Sequence, residues 1–167
     1  MAEILLPKAL VDKARAVVEA NRKAARRIAV AESCTGGLVS AAITEIAGAS
    51  DVFEAGYVTY SNASKIHELK VSEEVVDTFG AVSVATAWAM ARGALAASDA
   101  DIAVAITGIA GPGGGTPTKP VGTVVFATAE RDADPAKIVA DQKLFDENTR
   151  SGVRLQAALC ALDLLMP

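Results

Sequence analysis

Two short apolar runs constrain the fold of this 167-residue chain more than any other feature. RIAVAES begins at Arg27 and IAVAI begins at Ile102, and the length of each run predicts a buried strand. Segments with helical spacing separate such runs, and over residues 10–21 the apolar side chains share one helical face. Because strands alternate with helices, we expect an α/β fold (an α+β sandwich) in which helices flank a mixed, mostly buried sheet.

The remaining elements follow from turn residues and residue preferences. Helices are predicted over residues 36–47, 62–69, 84–97 and 148–165, with one more that Ser72 can cap and Gly80 ends; strands are predicted over 53–60, 121–129 and 137–145. Aromatic residues make up only 4%, so alanine and valine supply most of the apolar content, which predicts close helix–sheet packing. Neither a repeat nor a low-complexity linker interrupts the pattern, and we expect a single domain over residues 1–167.

Several classes of function fit the composition poorly. The formal charge is −4 without a basic patch, which argues against nucleic-acid binding, and no apolar stretch is long and uncharged enough to cross a membrane. Cys34 and Cys160 lie far apart, with no CxxC pair and no signal-peptide pattern, so we expect a reduced, cytoplasmic protein. One histidine and scattered carboxylates form no zinc-type ligand cluster, so we expect neither a metal nor a cofactor.

A serine follows the first apolar run directly, in the stretch AESCTGG from Ala31. Ligand sites of open α/β sheets lie beyond the carboxyl ends of the strands, and a helix start adds free N–H groups and a positive dipole end. Gly36 and Gly37 would let a ligand approach the backbone, which favours an oxyanion or phosphate site. Plain capping of the helix by Ser33 or Thr35 explains the same residues equally well.

A nucleophilic serine needs a base, and the sequence offers two candidates. His67 is the single histidine, but it lies two residues from Lys65 on a predicted helix, so the two side chains point in different directions. Lysine becomes a base when desolvation lowers its pKa, although a solvated Lys65 is the ordinary alternative. Cys34 is a rival nucleophile that we rank below Ser33, because a buried, inert thiol is its more common state.

The second apolar run ends in the same way, in AITGIAGPGGG, where Thr107 follows the strand and a glycine-rich loop begins. The glycines could form a backbone nest for an anion. The loop has neither the Walker A pattern nor GxGxxG spacing. A flexible connection ending in a plain Lys119-Pro120 turn is the alternative, but two hydroxyl-bearing strand ends in one domain favour a site.

Several longer motifs occur together and in order. They are AESCTGG, GAS at Gly48, YSNASK at Tyr60, GAVS at Gly80, TGIAGPGGG at Thr107, KPVGTV at Lys119 and TRSGVR at Thr149. Through these motifs the chain resembles the C-terminal domain of the competence-damage-inducible protein CinA. The resemblance implies membership of the family of nicotinamide-nucleotide amidases. TRSGVR matches the closing Arg-x-x-Val-Arg of that family through Arg150 and Arg154. HELKVSEE and DENTR depart from the family pattern, the first in a packing helix and the second near Arg150.

The resemblance implies hydrolysis of the carboxamide of nicotinamide mononucleotide to nicotinic acid mononucleotide and ammonia. It implies Ser33 as the nucleophile, Lys65 as its base, and Tyr60 and Thr107 as polar residues around that pair. We expect backbone N–H groups near residues 35–37 to hold the oxyanion. The expected oxyanion- and substrate-binding residues are Thr35, Gly36, Gly37, Asn62, Gly108, Gly111, Lys119 and Arg150. Lys119 would be either a cation that lowers the pKa of Lys65 or a contact to the substrate phosphate.

We further expect a small-molecule nucleotide substrate and a homo-oligomer, dimeric or larger. The alternative is a module that binds a nucleotide or phosphate without catalysis, in which Ser33 is a plain ligand. A link of such a module to competence or the DNA-damage response rests only on the family name.

Overall fold

The computed structural model describes residues 4–167, so the first three residues of the single domain expected over residues 1–167 lie outside the described part. The described chain forms five strands and six α-helices. In order they are α1 (Lys8–Lys23), β1 (Ile28–Glu32), α2 (Leu38–Thr44), β2 (Phe53–Val58), α3 (Asn62–Leu69), α4 (Glu73–Phe79), α5 (Val84–Ala96), β3 (Ile102–Gly108), β4 (Thr123–Glu130), β5 (Val139–Leu144) and α6 (Arg150–Leu164). A short 3-10 helix, Ala49–Asp51, was not predicted.

The strands form one mixed sheet in the order β2-β1-β3-β4-β5. Strand β1 runs parallel to β2 and β3, while β4 runs antiparallel to both β3 and β5. Strands β1, β3 and β4 are largely buried, whereas the edge strand β5 is exposed along most of its length. The α/β class with a mixed, mostly buried sheet between helices is therefore confirmed.

The two faces of the sheet carry side chains of different size. Ile28, Val30 and Val104 face a core that they share with α1, α2 and α6. Ala31 and Ala105 face the opposite core, shared with α3, α4 and α5. Alternate residues of a strand point to opposite faces, so the sequence IAVAI places its alanines together and lets α5 lie close to the sheet. The predicted close packing of small side chains is found on this face.

A glycine fixes how α3 lies against α5. A Cβ atom at Gly93 in α5 would come within 2.0 Å of the carbonyl oxygen of Leu69, the last residue of α3. Any larger side chain would push the two helices apart. This contact holds α3, which carries Lys65, against the helix layer.

Helix α2 is shorter than predicted. It begins at Leu38 instead of residue 36, because Gly36 and Gly37 adopt φ angles of +59° and +96°. These positive φ angles suit glycine and turn the chain sharply between β1 and α2. The glycines therefore shape the turn that follows Ser33.

The parallel strands bring both hydroxyl-bearing strand ends to one edge of the sheet. Glu32 pairs with Ile106 across β1 and β3, and the Ser33 N–H donates to the Ile106 carbonyl at 2.9 Å. On the other side, the Thr59 N–H donates to the Glu32 carbonyl at 2.8 Å. Ser33 and the start of α3 consequently meet beyond the carboxyl end of the sheet. Thr107 was expected to follow β3, but it lies inside that strand as its penultimate residue and pairs with Val125.

Candidate active site

Ser33 and Lys65 are in direct contact at this edge. The Nζ atom of Lys65 lies 2.9 Å from the Oγ atom of Ser33. Lys65 is only 1% exposed and Ser33 only 8% exposed. The solvated alternative for Lys65 is therefore wrong, and its side chain reaches a hydroxyl 32 residues away in sequence.

Two backbone carbonyls orient the amine of Lys65. Nζ lies 2.7 Å from the Thr59 oxygen and 3.3 Å from the Tyr60 oxygen. A neutral amine has two N–H donors and one lone pair. When the carbonyls accept the two N–H bonds, the lone pair is left facing the hydroxyl of Ser33. The arrangement suits a base that accepts the serine proton.

Burial adjusts the pKa of Lys65 for this role. Desolvation lowers that pKa from 10.5 to about 8, while the neighbouring Cys34 acts weakly in the opposite direction. Lys119 is not among the causes of this shift, and its Nζ donates to the Phe79 carbonyl at 3.2 Å. The expectation that Lys119 is the cation lowering this pKa is thus not supported. His67, the other candidate base, is exposed on α3, and no hydrogen bond joins it to Ser33 in the described part of the chain.

The capping explanation for Ser33 and Thr35 is wrong. The N-cap position of α2 is held by Gly37, and no side chain caps the helix there. The Ser33 hydroxyl contacts Lys65 instead, and the buried Thr35 Oγ1 finds no hydrogen-bond partner among the described residues. Capping cannot account for a hydroxyl at either position.

The start of α2 is also not a free anion site, contrary to the sequence-based expectation. The buried Glu32 carboxylate accepts from the Val39 N–H at 2.9 Å and from the Ser40 N–H at 3.1 Å. The Ser40 hydroxyl donates to it as well, at 2.8 Å. The sequence analysis did not identify Glu32. A signal was present, because a glutamate inside an apolar run just before a helix is a candidate for a buried carboxylate that accepts from the first N–H groups of that helix.

Backbone donors nevertheless remain near Ser33. The N–H of Gly36 is engaged, because it donates to the Ser33 carbonyl at 3.0 Å. The N–H groups of Cys34 and Thr35 donate to no other residue in the described part of the chain. On the carbonyl side, Arg154 binds the oxygens of Cys34 and Thr35 at 3.1 and 3.0 Å. Arg154 had been assigned no role from the sequence beyond its place in a motif.

Ser33 and Lys65 open into a cavity of about 270 Å³. The glycine-rich loop after β3 and the segment before α5 form its walls. The lining residues are Ser33, Cys34, Tyr60, Lys65, Ala81, Val82, Thr107, Gly108, Ile109, Ala110, Gly111, Gly113, Gly114 and Arg150. Five expected site residues thus line the cavity together with Ser33 and Lys65: Tyr60, Thr107, Gly108, Gly111 and Arg150.

Arg150 and Tyr60 form the polar part of the cavity wall. Nη2 of Arg150 donates to the Tyr60 phenol oxygen at 2.8 Å, and Nη1 donates to the Gly111 carbonyl at 2.7 Å. The Tyr60 side chain is 60% exposed and meets Arg150, whereas Lys65 contacts only the backbone carbonyl of Tyr60. Thr107 is buried and donates its hydroxyl to the Ala81 carbonyl at 2.8 Å.

Five expected site residues do not line the cavity, and one of them is the buried Thr35. Asn62 is exposed in the first turn of α3, and its side chain is not a partner of Lys65. Lys119 instead ties the glycine-rich loop to the end of α4. Gly36 and Gly37 shape the turn behind Ser33 and are absent from the lining.

The Cys34 thiol lies beside Ser33 but in a different environment. It is buried within the core under α1, α2 and α6. Burial raises the pKa of this thiol to about 11, so it stays protonated near neutral pH. Burial of Cys34 is confirmed, and its inertness stays a prediction.

Residues 4–167 offer neither a candidate metal site nor a candidate membrane-spanning helix. They contain no group of three or more His, Cys, Asp or Glu side chains placed to hold a metal ion. Nor do they contain a helix of the length and apolar character needed to cross a membrane.

Comparison with known proteins gives consistent matches. A family model described as the CinA C-terminal domain matches residues 11–167. Nicotinamide-nucleotide amidohydrolase PncC of Pseudomonas putida is 49% identical over 140 residues, which are 84% of this chain and 84% of that protein. A CinA-like protein of Mycolicibacterium vanbaalenii is 50% identical over 142 residues, which are 85% of this chain but 33% of that protein. The chain thus spans about a third of its longer relatives.

The fold has a close counterpart among solved structures. The crystal structure of the competence/damage-inducible protein CihA from Agrobacterium tumefaciens superposes with a TM-score of 0.92 at 43% identity. The superposition covers 98% of this chain and 97% of that one.

Proposed function

The chain belongs to the CinA C-terminal domain family, and on that premise we propose that it is a nicotinamide-nucleotide amidohydrolase. The substrate would be nicotinamide mononucleotide, and the products nicotinic acid mononucleotide and ammonia. The relative from Pseudomonas putida bears the name of this activity and matches most of both chains. A single amidase domain would then occupy residues 1–167.

One observation carries the catalytic assignment: the buried amine of Lys65 lies 2.9 Å from the hydroxyl of Ser33, at the floor of a cavity. A lysine that donates to two carbonyls and faces a serine has little structural purpose, because its protonated form is costly to bury. A role as the base of an acyl transfer would explain why this amine is buried.

The reaction proceeds through an acyl-enzyme. Neutral Lys65 takes the hydroxyl proton of Ser33, and Oγ forms a bond to the carboxamide carbon. The oxyanion is stabilised by the free N–H groups of Cys34 and Thr35. The C–N bond then breaks, and the Lys65 ammonium returns its proton to the leaving nitrogen, which departs as ammonia. Water attacks the ester carbon while Lys65 takes one of its protons. The bond between that carbon and Oγ then breaks, and the Lys65 ammonium returns the proton to Oγ, which frees Ser33 and nicotinic acid mononucleotide.

Lys65 delivers the proton to the leaving group directly. A relay of the proton through Tyr60 fits the geometry less well, because the Tyr60 phenol is held by Arg150 and Lys65 contacts only the backbone carbonyl of Tyr60. Arg150 places a fixed positive charge in the cavity wall, where it suits the substrate phosphate. Tyr60 orients that guanidinium.

The non-catalytic alternative fits the geometry less well. A module that binds phosphate would use the N–H groups at the start of α2, but those of Val39 and Ser40 already donate to the Glu32 carboxylate. A second anion there would meet a buried negative charge. The alternative also leaves the Ser33–Lys65 contact unexplained.

Ammonia release tests the proposal. The purified chain, freed of metal with a chelator, is incubated with nicotinamide mononucleotide, free nicotinamide or the dinucleotide. We expect ammonia from the mononucleotide, and none from a Ser33→Ala variant prepared in parallel. Binding of the mononucleotide without any ammonia would support the module instead.

A further inference from the structure

We propose that Arg154 is a positioning residue that aims the Thr35 N–H at the oxygen that becomes the oxyanion. The proposal rests on the acyl-enzyme chemistry given above and adds to it the residue that holds the donors in place. Arg154 does not line the cavity, so its effect would pass through the backbone and not through contact with substrate.

The contacts of Arg154 are specific to the turn after Ser33. From the second turn of α6, Nε donates to the Cys34 carbonyl at 3.1 Å and Nη2 donates to the Thr35 carbonyl at 3.0 Å. The guanidinium thus bridges two successive carbonyls that lie about 120 residues away in sequence. Its planar fork makes such a two-point contact possible.

Fixing a carbonyl also fixes the next N–H. In a trans peptide the C=O and the following N–H point in opposite directions, and the peptides of this turn are trans. Arg154 holds the Cys34 carbonyl on one side, so the Thr35 N–H points away from it. The Ser33 carbonyl is held by the Gly36 N–H, which orients the Cys34 N–H in the same manner.

Charge strengthens the effect. A hydrogen bond from a guanidinium is stronger than one from a neutral donor, and it polarises the peptide whose carbonyl it binds. Polarisation makes the N–H of that peptide a better donor to a developing oxyanion. Arg154 therefore both orients and strengthens the Thr35 donor.

The turn leaves room for this side chain. A Cβ atom at Gly36 would lie 3.4 Å from Nη2 of Arg154, and the φ angle there is +59°. Glycine at this position is required by the positive φ angle of the turn, and the guanidinium packs directly against it. Arg150, one helical turn earlier, reaches into the cavity instead and contacts Tyr60 and Gly111. The two arginines of the closing motif therefore have separate tasks.

The two tasks predict different kinetics. An interaction that matters only in the transition state lowers kcat and leaves KM unchanged, whereas a lost substrate contact raises KM. Removing one oxyanion donor commonly costs about 100- to 1000-fold in kcat. Misaligning a donor that stays present should cost less, and we expect a fall of about 10- to 100-fold for Arg154→Met.

The test compares Arg154→Met and Arg154→Lys with Arg150→Met as the matched control. Steady-state kinetics on nicotinamide mononucleotide should show the fall in kcat for Arg154→Met with KM within about twofold, an intermediate fall for Arg154→Lys, and a raised KM for Arg150→Met. Thermal unfolding of each variant identifies those that fold. If the Met variant is unfolded, the Lys variant carries the test.

A second readout does not depend on the amidase reaction. A small fluorophosphonate reacts when Oγ of Ser33 attacks phosphorus and fluoride leaves, with the P=O oxygen in the oxyanion site. We expect Arg154→Met to slow this labelling by a factor similar to its loss in kcat. If the wild-type protein releases no ammonia, the proposed function fails and the labelling rates alone decide the role of Arg154. Wild-type labelling rates in a folded Arg154 variant, or a change confined to KM, would overturn the proposal.

Discussion

The carboxylate of Glu32 accepts both the N–H and the hydroxyl of Ser40, so the last residue of β1 is tied to the helix that follows it. With Val39 as a third donor, the carboxylate replaces the capping side chain that α2 lacks. The turn that carries the nucleophile is thereby held between a fixed strand end and a fixed helix start.

Replacing Glu32 by glutamine should destabilise the protein. The amide has one acceptor oxygen and two N–H donors, so at least one buried N–H of α2 loses its partner, at a cost of about 1–3 kcal/mol in the free energy of unfolding. Denaturant unfolding measures the loss. Ser40→Ala is the control: it removes the hydroxyl bond but keeps the N–H bonds, and should cost about 1 kcal/mol. A glutamine variant as stable as wild type would contradict the assigned role.

Ser33→Ala should abolish ammonia release while the fold stays intact. Because Gly37 and not Ser33 holds the N-cap position, the variant should escape the loss of about 1 kcal/mol that follows removal of a capping side chain. Ammonia release and thermal unfolding of one preparation test both statements. Substantial residual turnover would show that Ser33 is not the nucleophile.

Cys34→Ala should remain active. Burial raises the pKa of this thiol to about 11, so little thiolate exists near neutral pH, and Ser33 has the closer base. Turnover should stay near the wild-type value, and iodoacetamide should label Cys34 slowly at neutral pH in the intact protein. An inactive Cys34→Ala beside an active Ser33→Ala would reverse the assignment of the nucleophile.

Lys65→Met should lose activity but gain stability near neutral pH. The folded pKa of Lys65 is about 8 and the unfolded value is about 10.4, so between these pH values the unfolded state binds more protons and stability rises with pH. Below pH 8 the folded state carries a buried charge, which lowers the free energy of unfolding by about 3 kcal/mol. Comparing denaturant unfolding at pH 7 and pH 10 should show a rise for wild type that the methionine variant lacks. Equal pH dependence of the two proteins would mean that Lys65 is not desolvated.

The elements were easier to predict than the contacts between them. Helix α3 was predicted with its observed bounds, because its cap and apolar spacing are local signals. The bond between Ser33 and Lys65 spans 32 residues, and spacing alone left capping as an equal explanation; the family resemblance favoured the pair. The tasks of Lys119 and Arg154 could not be predicted, because each long side chain binds a carbonyl whose position depends on the tertiary fold.

The pH dependence of turnover should identify Lys65 as the base. Only the neutral amine can accept the proton of Ser33, so kcat/KM should fall on the acidic side of a pKa near 8, by about tenfold for each pH unit below it. His67 is exposed and the hydroxyl of Ser33 contacts Lys65 instead, so His67→Gln should keep this acidic limb at the same pH. Lys65→Arg keeps the positive charge but cannot lose its proton, so it should be inactive at every pH measured. An active Lys65→Arg variant would rule out the serine–lysine mechanism. If the acidic limb disappeared in His67→Gln, the base would be the histidine.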